Sequence, residues 1–117
     1  MSRSLLLALP TGQTPLPAAD AAVVVEALRS FGPPREMPSA DAASRKLERL
    51  IAGDERELVF TSPELYEIVL AIDRVTVEGA VLTPEASSFR HMLALQLAWQ
   101  AQQHAGHHGR AAVDRDG

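Results

Sequence analysis

From Glu85 to His104 the chain has neither glycine nor proline, carries formal charge only at Glu85 and Arg90, and sets Phe89, Met92, Leu93, Leu95, Leu97 and Trp99 among alanines. A helix lying on a protein surface needs an apolar stripe of about 100°. These side chains spread over well more than half of the circumference, so a helix here has to touch two surfaces. Only Gln96, Gln100, Gln102 and Gln103 interrupt, and uncharged glutamines are tolerated at a contact rim.

The rest of the chain is too small to enclose that helix. With 117 residues and no cysteine, the sequence suits one compact domain over 1–104, without a disulfide framework. Its 46% hydrophobic content is mostly Ala, Leu and Val, with 4% aromatic, which favours closely packed helices over stacked rings. Residues 105–117 hold three glycines, mixed charges and little to bury, and are expected to form a disordered C-terminal tail.

Periodicity supplies the remaining elements. Leu5 to Leu9 is a continuous apolar run, expected as a short strand covered on both faces. Thr14 to Leu16 suits a returning hairpin partner. Ala21, Val24, Val25, Leu28 and Phe31 then mark a helix that Gly32-Pro33-Pro34 ends. A second helix, with Ser39 expected as its N-cap, carries Ala43, Leu47, Leu50 and Ile51 and closes at Gly53. Leu58 to Thr61 reads as another strand. Ser62-Pro63-Glu64, with Ser62 expected as N-cap, opens a third helix along Leu65, Ile68, Val69, Ile72 and Val75, although Val75 to Val77 also suits an extended segment. Thr83-Pro84-Glu85 opens the last helix, expected to end near His104. Sliding Leu16–Phe31 onto Phe60–Val75 superposes both apolar stripes, as a duplicated strand-helix unit would, and as any two amphipathic helices can. The fold class is α+β, a small sheet of two to three short strands packed with about four helices; an all-α bundle is the alternative.

Charge and motifs narrow the chemistry. Eleven basic against fifteen acidic residues give a net charge of −4, the wrong sign for affinity built on neutralising phosphates. Arg45, Lys46 and Arg49 form the one basic patch, which Asp41 and Glu48 break up, so weak nucleic-acid binding ranks third among the functions considered. Glu64 and Glu67 share a helix face, and His104, His107 and His108 cluster at the end of the last helix. Together they are the weak candidates for a metal site in a small metal-dependent enzyme or metal-binding protein, the second function considered. A lone carboxylate pair more often makes a solvated face, and the histidines lie among glycines, so no metal and no cofactor is expected. No nucleophile elbow, Walker loop or dinucleotide fingerprint occurs.

The apolar run at the start stops at Pro10 after five residues, short of the roughly 7–15 of a secretory leader core, and no stretch approaches the ~20 residues of a membrane span. A cytoplasmic protein without membrane partner is expected. Ten of the eleven basic residues are Arg, the usage of a GC-rich bacterial genome. The leading function is a non-catalytic protein-protein interaction or regulatory module. It pairs with itself through the last helix, as a homodimer, and also binds another protein. The expected interface is Phe89, Met92, Leu93, Leu95, Gln96 and Trp99.

Overall fold

The computed structural model describes the backbone of residues 4–9 and 12–116, and side chains as far as Gln103. In β1 (Ser4–Leu9) the side chains of Leu5, Leu7 and Leu9 are buried while Leu6 and Ala8 are half-buried. That alternation marks a strand with one face on the core and the other toward solvent. The continuous apolar run had suggested cover on both faces. Instead the outer face stays open, and on the neighbouring strand Val59 is 69% exposed.

β2 (Gly12–Pro17) returns antiparallel to β1, with Leu16 opposite Leu5 and Thr14 opposite Leu7, so both join the inner face. Pro15 and Pro17 fit there because β2 is an edge strand and needs no full ladder of donors. β3 (Glu57–Val59) runs parallel to β1 on its other side, giving the order β2-β1-β3. The strand expected over Leu58–Thr61 is shorter because Phe60 turns into the core and Thr61 becomes a helix cap.

Four helices follow the apolar periods among the described residues, and with the mixed sheet they make an α+β fold. α1 (Ala18–Arg29) buries Ala21, Val24, Val25 and Leu28. α2 (Pro38–Ala52) buries Ala43, Leu47 and Leu50 and closes at Gly53, whose φ of 84° a side chain would resist. Its N-cap is Met37 rather than Ser39, because proline at the first helical position has its φ already set and needs no hydrogen-bond partner. α3 (Ser62–Val77) stays helical through Val75–Val77, and Thr61, not Ser62, caps it. The Thr61 hydroxyl accepts from the Glu64 N–H, and the Glu64 carboxylate accepts from the Thr61 N–H at 2.7 Å.

α4 (Pro84–Asp116) continues beyond the expected stop near His104; the tail expected over 105–117 lies outside the residues whose side chains are described. The buried apolar residues of the sheet and all four helices form one cluster.

Candidate functional site

α4 is fastened to the domain at three points. At its start the Thr83 side chain accepts from the Ala86 N–H at 3.3 Å and donates to buried Asp20 in the first turn of α1. The Thr83 N–H donates to the same carboxylate at 3.3 Å. Two turns on, Arg90 forms a two-pronged pair with Asp73 of α3, both contacts at 2.9 Å, and the Asp73 hydrogen bond and charge raise the Arg90 pKa above its ordinary value. Near the far end of the contact, Ser62 donates to Gln100.

These ties fix the rotation of the helix. Ala86, Phe89, Leu93 and Gln96 turn inward and are buried. Arg90 and Gln100 mark the edge against α3, and α4 also packs on β2. Of the six residues expected at an interface, Phe89, Leu93 and Gln96 therefore lie within the domain's own packing. Met92 (46%), Leu95 (52%) and Trp99 (47%) remain exposed, on a face that adjoins the buried one. From Leu95 through Trp99 and Met92 to Leu97 the apolar arc covers about 200° at 3.6 residues per turn, roughly twice what one-sided packing uses.

The exposed three fall at i, i+3 and i+7, the spacing of a helix-pairing seam. Residues 91–103 contain no Asp, Glu, Lys or Arg. This arrangement can bury apolar surface against another helix; it holds no nucleophile, acid-base pair or phosphate cradle.

The basic patch is neutralised locally. Arg45 pairs with Asp41 at 3.0 Å, Arg49 with Glu55 at 2.8 Å, and Lys46 with Glu64 at 2.7 Å. Lys46 also donates to the Val59 carbonyl at 2.9 Å. A cation so engaged must break protein contacts before meeting a phosphate.

Glu64 and Glu67 have separate environments. Burial pushes the Glu64 carboxyl up, but the hydrogen bonds from Lys46 and Thr61 and the Lys46 charge outweigh it and hold its pKa below the ordinary value. Its Oε1 accepts from both Lys46 and the Thr61 N–H. Glu67 borders a groove on another side of α3, with one carboxylate oxygen buried and without a hydrogen-bond donor among the described residues. Among those residues no group of three or more His, Asp or Glu is placed to hold a metal ion. The side chains of His104, His107 and His108 lie outside the description.

One buried acid escaped the sequence reading. Asp20 is buried beneath the start of α4, and the sequence held a signal for it: the overlay of Leu16–Phe31 on Phe60–Val75 sets Asp20 on Glu64, the other first-turn acid that is buried. No protein-family model matches the chain, and neither a curated protein nor a solved structure matches it.

Proposed function

We propose that this chain is a non-catalytic protein-protein interaction module of the bacterial cytoplasm, and that it forms a two-fold homodimer through the outward face of α4. The observation that carries the reading is the exposed row Met92, Leu95 and Trp99 on a helix whose adjoining side is already packed. A second copy suits this face because a two-fold contact sets the same patch against itself, so a patch with net charge repels its copy. Residues 91–103 bring no such charge. Exposed Trp and Met are the side chains favoured as interface anchors, and Gln102 and Gln103 supply an uncharged rim. No cofactor enters this reading. For the cytoplasmic setting, the support is that no helix among the described residues is long and apolar enough to cross a membrane; for the bacterial one, it is the Arg-rich basic set.

The test is sedimentation velocity with light scattering at micromolar concentration. A dimer is expected, converted to a folded monomer by Trp99→Glu. Trp99 is the sole tryptophan, so its emission is expected to shift to the blue as concentration rises. A protein that stays monomeric throughout and is unaffected by Trp99→Glu overturns the reading.

A further inference from the structure

The outward seam of α4 is longer than its apolar row. Ser88, seven residues before Leu95, and Gln102, seven after it, are also exposed. With Met92, Leu95 and Trp99 they follow one another at spacings of four, three, four and three residues, within an arc of about 80° at 3.6 residues per turn. Read from either end the order is the same in kind: a polar residue, a large apolar one, Leu95, a large apolar one, a polar residue.

A two-fold axis can pair such a seam with its copy in two ways. In a parallel pair each residue stands level with itself. Trp99 then meets the partner's Trp99 in one layer and Met92 the partner's Met92 in another, so the widest layer sets the helix separation and leaves the narrower ones short of contact. In an antiparallel pair about Leu95 the levels are exchanged. Met92, about 4.5 Å before Leu95 along the axis, stands close to the level of the partner's Trp99, about 6 Å after it. Both layers then have the same width, and each sets a thioether against an aromatic ring, a favourable contact. Ser88 stands level with the partner's Gln102, so polar residues close the apolar row at both ends, as the rim of an interface does. Helix dipoles laid in opposite directions add a weak attraction. The formal charge between Ser88 and Gln102, that of Arg90, is already paired with Asp73 of α3 and favours neither arrangement.

We propose that two copies of α4 pair antiparallel with their two-fold axis beside Leu95, each Met92 packing on the partner's Trp99. This pairing rests on the self-association read above, and the two can fail separately.

The chain has no cysteine, so single thiols report on orientation. Ser88→Cys and Gln102→Cys lie outside the apolar row and are expected to leave the dimer intact by sedimentation. In the antiparallel pair each thiol is about 21 Å along the axis from its own copy but level with the other, and in a parallel pair the reverse holds. A short bismaleimide is therefore expected to link neither variant to itself and to link the two in an equal mixture left to exchange. The same mixture carrying Trp99→Glu is expected to give no product. Ser88→Glu and Gln102→Lys placed together in one chain are expected to tighten the dimer severalfold, because opposite charges then meet at both ends of the seam. Self-linking of either variant, product that survives Trp99→Glu, a mixture that stays unlinked while sedimentation shows a dimer, or weaker association of the doubly charged chain overturns the antiparallel pairing and leaves self-association standing. A chain that is monomeric at every concentration overturns self-association, and the pairing with it.

Discussion

The ammonium of Lys46 lies 2.7 Å from the carboxylate of Glu64, and through that contact α2 holds the first turn of α3. The same ammonium caps the Val59 carbonyl at the end of β3 and sits 5.4 Å from the centroid of the Phe60 ring. One side chain thereby joins the edge of the sheet, the turn that follows and the helix that begins there. A Lys at this place also blunts an edge strand that would otherwise offer an unpaired carbonyl to another chain.

The pH dependence of stability follows from Glu64. Its pKa is lowered on folding, so its contribution is present above the ordinary carboxyl value of 4.5 and is lost as pH falls through the lowered one. Lys46→Met is expected to cost about 1–3 kcal/mol at pH 7. Urea unfolding at pH 7 and at pH 3 checks this: the gap between wild type and variant should narrow at the lower pH, and a gap that stays constant would mean the pair contributes through packing alone.

Asp20 and Thr83 couple the starts of α1 and α4 across 63 residues of chain. Thr83→Val keeps the shape but removes the hydroxyl that both reaches Asp20 and caps α4. It is expected to cost about 1–2 kcal/mol and to open the first turn of α4. Hydrogen exchange locates the effect, since amides around Ala86 should lose protection while those in the middle of α2 keep it.

Arg90 and Asp73 look stronger on paper than they should prove. Their side chains are 40% and 47% exposed, and pairs of that kind contribute about 0–1 kcal/mol, less at high salt. Arg90→Ala is therefore expected to shift the thermal midpoint slightly in dilute buffer and hardly at all in 1 M salt, by scanning calorimetry. A loss above ~2 kcal/mol in either condition would show that the pair holds α4 more firmly than exposed pairs of its kind do.

The sequence announced elements whose signal is local and periodic. α1 and α3 follow from apolar spacing, and α4 starts where Thr83-Pro84-Glu85 sets it. Features that depend on what lies across the molecule were less legible. Nothing within Leu5–Leu9 distinguishes a strand packed on both faces from one packed on Leu5, Leu7 and Leu9 alone, because the missing second layer is a property of the whole chain. Ser39 and Ser62 are good caps by type, yet Pro38 and the reciprocal bonds of Thr61 and Glu64 start the helices earlier. For α4 the excess of apolar arc was readable, and its division between Phe89, Leu93 and Gln96 inside and Met92, Leu95 and Trp99 outside was not, since that depends on where Asp73 and Ser62 hold the helix.

Leu93 and Leu95 separate folding from association on one helix. Leu93 is fully buried and Leu95 is 52% exposed, so the same truncation probes different free energies. Leu93→Ala is expected to cost about 2–5 kcal/mol of stability, the transfer and cavity terms of a core leucine. Leu95→Ala is expected to stay within about 0.5 kcal/mol in the monomer, because an exposed side chain away from a cap or buried network gives up little on truncation. In the proposed dimer the order reverses: removing Leu95 from the middle of the Met92–Trp99 row should weaken association about tenfold or more, seen as a faster dissociation in concentration-jump fluorescence of Trp99. Were Leu95→Ala to destabilise the isolated monomer as much as Leu93→Ala, the outer row would belong to the domain's own core and α4 would have no face left for a second copy.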